Sequence, residues 1–363
     1  MDSVDGLRGF CDEHLTPMKR FTLSLIVVAA LVSFAGCKPS ETKTDSSTSS
    51  TPKTGGKPHK IAFVSNGVDP FWVICQKGVE AAGKEFGVDV AFQMPSEGIT
   101  SQKRILEDLV TKGTDGIAVS PIDPANQTDI LNLVAERSKL VTADSDAPDS
   151  KRLVYIGMSN YEAGRMAGQL MKEVLPNGGK VMIFVGRLEQ DNAKLRRQGF
   201  IDELVGRKPD PTRYDPPTAQ PIGNGFTILG TLTDQFDRAK AKANVEDTLA
   251  KYPDISGMIG LFAYNPPAIL EALKQSNKMG KVKVIGFDEN ESTLQGIVDG
   301  VVHGTVVQNP YEYGYQSVKV LNEVLNGDSS SIPESKYIEI AARKIRADNV
   351  AEFWKQLNER LGK

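Results

Sequence analysis

Three aspartates stand where apolar runs end: Asp69 just past "KIAFVS" (60–65), Asp144 within "LVTADS" (140–145) and Asp288 closing "KVKVIGFD" (281–288). Similar positions hold Phe71 and Trp72 behind Asp69, Ser120 in "GIAVSP", Asn265 after "GMIGLFA" and Gln308 in "GTVVQN". Arg196 opens the pair in "KLRRQGF". Carboxylates accept hydrogen bonds, a guanidinium donates them, and amides do both, all in fixed directions. Sugar hydroxyls need donors and acceptors together, and a flat aromatic ring covers the C–H face of a pyranose or furanose. This is the mix expected for a neutral polyhydroxy ligand enclosed between two lobes. The same aspartates are compatible with a glycosidase-like pair, since nothing in the sequence fixes their separation.

Other chemistries lack their residues. The chain has 363 residues, 3 His and 3 Cys. The histidines (14, 59, 303) and cysteines (11, 37, 75) are far apart and show no metal-ligand spacing, so no metal or cofactor is expected. "GNGFTI" near 223 lacks the third glycine of a dinucleotide fingerprint, and there is no Walker A, HExxH or GxSxG. The net charge is −3, with no basic block past the N-terminus, which speaks against nucleic acid.

The elements that must position these residues alternate. From residue 60, β-branched runs at 60–65, 88–94, 116–121, 140–145 and 153–158 are mostly separated by amphipathic segments. In 71–86, Phe71, Cys75, Val79, Ala82 and Phe86 form one helical stripe, which makes Cys75 a buried thiol. Trp72 lies about 100° off that stripe, which makes it the better stacking face, while Phe71 can serve core and cleft together. The pattern recurs with strands at 180–186, 226–232, 257–263, 281–288 and 304–309, and helices near 190–205, 237–251, 267–277 and 311–326. Two successive α/β units with parallel sheets follow. The Pro-rich stretch 207–225 reads as a surface excursion. Asp69-Pro70, Asp123-Pro124, Asn265-Pro266 and Asn309-Pro310 each join a strand to a helix, which also suits plain N-capping. Ser159 to Glu162 reads as a capping box. In open parallel sheets these carboxyl ends are where ligands bind.

The N-terminus stands apart. "MKRFTLSLIVVAALVSFAGC" (18–37) has a basic start and an apolar run from Phe21 to Phe34, shorter than the roughly 20 residues of a membrane span. Ala35 and Gly36 then precede Cys37, as in a bacterial lipoprotein signal, so Cys37 is expected to carry lipid. The acidic residues 1–17 are unlike such a start, and Met18 is the expected initiator. Residues 38–60, rich in Ser, Thr, Lys, Pro and Gly, read as a disordered tether reaching on the order of 25 Å.

From about residue 59 to 346 the chain resembles the ribose-type periplasmic sugar-binding proteins, the type I solute-binding fold of ABC importers. The resemblance rests on "IAFVSNGVDPFW", "LVTKGTDGIAVSPIDP", "VTADSDAP", "YIGMSNYEAGRMAGQLM", "KLRRQGF", "VIGFDENEST" and "TVVQNPYEYG", all in family order. It implies an α/β fold of two Rossmann-like lobes joined by a three-segment hinge. Lobe 1 would take 59–159 plus 309–337, lobe 2 would take 160–308 plus 338–346, and a helix at 347–363 would dock on a lobe. It implies that Phe71 and Trp72 stack on the ligand, that Asp69 and Asp144 grip hydroxyls, and that Arg196 enters from the second lobe. Phe236, in "QFDR", would be a further aromatic wall; Asn265, Asp288 and Gln308 would complete the ring.

Departures from the ribose proteins are Ser145 in place of an Arg, and Ser120 and Asp69 in place of Asn. They change the hydrogen-bond code, and another pentose, a hexose, a deoxy-sugar or a cyclitol fits as well as ribose. The expected protein is a non-enzymatic, monomeric, extracytoplasmic lipoprotein that hands its ligand to a membrane permease. Two other readings are a sensor lipoprotein of the same fold serving a receptor and, remotely, a glycosidase. A lac-repressor-type regulator would need a helix-turn-helix where the signal and tether stand.

Overall fold

The computed structural model describes residues 57–363. The expectations for Met18, the signal segment, lipid on Cys37 and nearly all of the tether lie outside the described residues. Among those described, no helix is long and apolar enough to cross a membrane.

The chain alternates strand and helix through β1 (Lys60–Val64), α1 (Pro70–Phe86), β2 (Asp89–Gln93), α2 (Gly98–Thr111), β3 (Gly116–Val119), α3 (Pro124–Arg137), β4 (Lys139–Ala143) and β5 (Tyr155–Gly157). It continues with α4 (Asn160–Val174), β6 (Gly179–Val185), α5 (Asp191–Val205), β7 (Ile222–Gly223), β8 (Phe226–Thr233), α6 (Arg238–Lys251), β9 (Gly257–Gly260) and α7 (Asn265–Gln275). Then come β10 (Lys283–Phe287), α8 (Glu291–Val298), β11 (Gly304–Val307), α9 (Pro310–Leu325), β12 (Tyr337–Glu339), β13 (Arg343–Ile345) and α10 (Val350–Leu361).

The strands form two sheets. The first runs β12-β5-β4-β3-β1-β2 and is parallel throughout; the second runs β13-β11-β10-β9-β6-β8-β7, with antiparallel strands only at its two edges. Each sheet is covered on both faces. In β1, Ile61 and Phe63 enter one apolar cluster while Ala62 and Val64 enter another. In β6, Val181, Ile183 and Val185 face one side, and Met182 and Phe184 the other. This two-sided burial explains the continuous apolar runs in the sequence.

The chain passes between the sheets three times: after β5, after β11, and between β12 and β13. The stretch 338–346, expected in lobe 2, is therefore split between two short strands, β12 on the first sheet and β13 on the second.

Two helix pairs flank these crossings, α1 with α9 in lobe 1 and α4 with α5 in lobe 2. Each pair touches backbone to backbone at glycines. A Cβ on Gly78 would lie 1.9 Å from the Tyr311 carbonyl oxygen, and one on Gly314 would lie 2.2 Å from that of Cys75. On α4 and α5, a Cβ on Gly164 or Gly199 would fall 2.0 Å from the Arg196 or Tyr161 carbonyl oxygen. The second contact draws α5, and Arg196 on it, against the start of α4.

Candidate ligand cavity between the lobes

The carboxyl ends of both sheets face one another, and the loops there carry the candidate residues. Asp69 caps α1, its Oδ1 accepting from the Phe71 N–H at 3.0 Å, with Pro70 in the first turn. Its Oδ2 meets Arg238 Nη2 of lobe 2 at 2.9 Å, so this cap also spans the cleft. Burial raises the Asp69 pKa, while the Phe71 N–H and the Arg238 guanidinium pull it down.

Asp144 and Asp288 follow β4 and β10 with left-handed backbones, φ 64° and 65°. Aspartate tolerates this conformation better than most side chains, and such residues cluster at functional sites. At Asp144 the Ser145 N–H returns to the Ala143 carbonyl at 2.8 Å, a tight three-residue turn that swings the carboxylate off the strand line. Asp144 Oδ2 accepts from Ser120 Oγ (2.9 Å), Asn192 Nδ2 (3.0 Å) and Asn66 Nδ2 (3.3 Å), and Oδ1 faces Arg196 Nη2 at 3.4 Å. Burial pushes its pKa up, and Arg196 and the hydrogen bonds oppose that.

Asp288 has one side-chain partner among the described residues, Gln308 Nε2 at 2.7 Å on Oδ1. Gln308 is itself held by the Tyr313 hydroxyl at 3.0 Å. Burial lifts Asp288 to about 7, against Arg196 and Gln308 and with help from the Asp144 and Asp69 charges.

Arg196 is 1% exposed. Its Nε donates to Asn160 Oδ1 (2.9 Å), Nη1 reaches the Leu261 carbonyl (3.4 Å), and the guanidinium lies 4.5 Å from the Phe287 ring centre. The neighbouring Arg197, an alternative from sequence alone, is equally buried but points the other way. It binds Thr231 Oγ1 (2.6 Å) and the carbonyls of Asp215 (2.6 Å) and Pro216 (2.9 Å), pinning the Pro-rich excursion onto lobe 2.

These groups line one cavity together with aromatic walls from both lobes. Phe71 and Trp72 meet edge to face, with centroids 5.0 Å apart. Opposite them, Phe236 stacks with Phe262 at 5.6 Å, and Tyr264 completes the wall. The cavity volume is about 50 Å³, on a scale where one water takes roughly 10–15 Å³. It holds a few waters or one small ring.

Asp69, Phe71, Trp72, Asp144, Arg196, Phe236, Asp288 and Gln308 all line this cavity; Ser120 and Asn265 do not. Ser120 stands behind Asp144 and donates to it. Asn265 opens α7 without capping it. Its Oδ1 takes the Phe262 N–H at 3.1 Å, and its Nδ2 donates to Asp234 Oδ2 at 2.9 Å. Asp234 also accepts the Tyr264 hydroxyl, so Asn265 and Asp234 fix the aromatic wall from behind. Asn309 also fails as a cap, since its side chain accepts from Arg360 instead.

Both rings after Asp69 belong to the lobe 1 core and line the cavity. Trp72 is 3% exposed, belongs to the lobe 1 core and donates Nε1–H to Asn66 Oδ1 at 3.1 Å, so it is more deeply built in than Phe71.

Asn66, Asn192, Phe262 and Tyr264 were missed from sequence. Asn192 sits four residues before Arg196, one turn away on the same helix face, a signal that was available. Asn66 directly follows β1, and Phe262 and Tyr264 lie between β9 and α7. All three are at the same sheet edge as the residues that were found.

Two parallel sheets, three crossings and a polar–aromatic cavity between the lobes define a two-lobed binding protein of the type I periplasmic class. The chain belongs to the periplasmic binding protein domain family, whose model matches residues 61–329. It is similar to the ribose import binding protein RbsB of Bacillus subtilis (strain 168), with 28% identity over 261 residues, 71% of this chain and 79% of that protein. Among solved structures it is similar to an ABC-transporter solute-binding protein from Burkholderia graminis C4D1M in complex with D-arabinose. That match has 28% identity and a TM-score of 0.72, and covers 81% of this chain and 96% of that one. It is also similar to GanP, a glucose-galactose binding protein from Geobacillus stearothermophilus, with 27% identity, a TM-score of 0.72, and coverage of 81% and 99%. These relatives place the chain among ribose-type sugar-binding proteins of ABC importers.

Proposed function

We propose that the protein binds one neutral monosaccharide or polyol in the interlobe cavity, closes over it, and presents it to a membrane ABC permease. The observation that carries this reading is the make-up of the cavity. Aromatic faces from both lobes enclose it, and its polar edge holds a carboxylate, Asp288, with an oxygen left for a ligand hydroxyl. Arg196 reaches across the cleft to Asp144, so its donors are poised where the lobes meet. Closure by hinge motion would bury the ligand on all sides. The protein is read as a monomer outside the cytoplasm, anchored by lipid on Cys37, and as a binder that makes and breaks no bond.

A thermal-shift screen of pentoses, hexoses, deoxy-sugars and cyclitols tests this. A true ligand at 100-fold excess over its Kd raises stability by about 2.7 kcal/mol and is recovered chemically unchanged. A screen in which no sugar or polyol shifts melting would defeat the reading, and recovery of a cleaved ligand would favour hydrolysis.

A further inference from the structure

Beyond the Asp69–Arg238 pair the inner cavity adjoins a second, larger space of about 680 Å³. The two share Asp69, Phe71 and Ala263 as walls. Lobe 1 contributes Val68 and Val73, lobe 2 contributes Glu289 and Asn290, and α10 lays Trp354 and Leu357 along one side. The volume falls inside the range of ligand pockets, roughly 300–1,000 Å³. On the same scale the inner cavity is more than tenfold smaller.

Three features make this chamber more than a surface groove. Asp288 and Glu289 are consecutive, yet Asp288 lines the inner cavity and Glu289 the outer chamber. Glu289 is 7% exposed, and its Oε2 has no hydrogen-bond partner among the described residues. A buried carboxylate oxygen left unpaired is costly, and a hydroxyl donor relieves it. The bar between the spaces is also weak. Arg238 is 59% exposed in its side chain, and a pair of that kind contributes little. Finally, Val68 is 65% exposed and Val73 is 43% exposed; with the half-buried Trp354 indole they offer apolar faces to the C–H side of a ring.

We propose that the outer chamber receives the second unit of a disaccharide or short glycoside whose first ring fills the inner cavity. This rests on the sugar-binding reading above and extends it to a longer ligand. The first ring bonds to Asp288 and Arg196, and the second bonds to Glu289 and covers Trp354. Arg238 swings off Asp69 to let the glycosidic link through.

Titration calorimetry on the purified full-length protein decides the matter. A monosaccharide that binds is compared with its methyl glycosides and its disaccharides. At least one of the longer ligands is expected to bind tenfold tighter or better. Trp354→Ala should remove that gain while leaving the monosaccharide Kd within twofold, and Glu289→Gln should reduce the gain. If the monosaccharide binds and no longer ligand exceeds it, the outer chamber is not a ligand site and the sugar reading stands. The same holds if Trp354→Ala and Glu289→Gln both leave the gain intact. If no sugar of any length binds, both fall together.

Discussion

Asp144 in lobe 1 and Asp288 in lobe 2 occupy matching places. Each follows a central strand of its sheet, and each has φ near 65°. Each backbone N–H returns to the next strand, to Ile156 and Val306 respectively. Each backbone carbonyl accepts a hydroxyl, from Tyr155 at 2.9 Å and from Thr305 at 2.9 Å. Their side chains differ. Asp144 is saturated by three hydrogen bonds and a guanidinium, whereas Asp288 has Gln308 alone. One carboxylate bonds to side chains of both lobes, and the other keeps an oxygen without a side-chain partner among the described residues. The same fold position is thus fully partnered in one lobe and sparsely partnered in the other.

Removing each carboxylate in turn separates their two roles. Asp144→Ala would strand Arg196, 1% exposed, without its counter-charge and leave Ser120, Asn66 and Asn192 short of an acceptor. A destabilisation of about 3–5 kcal/mol is expected in chemical denaturation; a loss below 1 kcal/mol would show that Asp144 is not the structural partner.

Asp288→Asn should leave melting close to wild type only below about pH 4, and should weaken sugar binding by about 1.5–3 kcal/mol, the worth of a hydrogen bond to a charged group. Calorimetry reads this directly, and an unchanged Kd would remove Asp288 from the site.

The pH dependence separates the two further. An unfolded aspartate titrates near 3.9, while burial raises Asp288 to about 7. Between those values the folded, empty protein keeps a proton that the unfolded chain has lost. Its contribution to stability is therefore full below about pH 4 and falls away as pH rises towards 7. Asp288→Asn should flatten that part of the stability profile.

The smallest effect belongs to the exposed latch. Arg238→Ala breaks the Asp69 pair at the cleft mouth and is expected to change affinity by no more than about 1 kcal/mol. A larger loss would move Arg238 from the rim into the site.

Much of this was legible in the sequence because strand ends are marked along the chain. A run such as "KVKVIGFD" announces both its burial and the residue that leaves it at the sheet edge, and α/β topology then gathers those edges on one side. What the sequence leaves open is direction. Ser120 and Asn265 sit at the right edge but turn to brace Asp144 and Asp234. Arg196 and Arg197 are neighbours on one helix, and the close glycine contact of α5 on α4, with the partners each guanidinium finds, turns only Arg196 into the cleft. Trp72 looked free to stack because it lies off the apolar stripe of α1. The indole N–H instead finds Asn66, a partner six residues back that helical periodicity cannot see.

Asp288 has a single side-chain partner among the described residues and room for donors that a sugar can supply. Carboxyl carbon-13 NMR titration of Asp288, without ligand and with a saturating sugar from the screen, measures this most directly. Without ligand the group should titrate near 7. With sugar its midpoint should fall towards the ordinary carboxylate range, because hydroxyl donors favour the ionised form, while the Asp144 signal stays put. A midpoint that does not move on binding would contradict the claim that Asp288 receives the ligand.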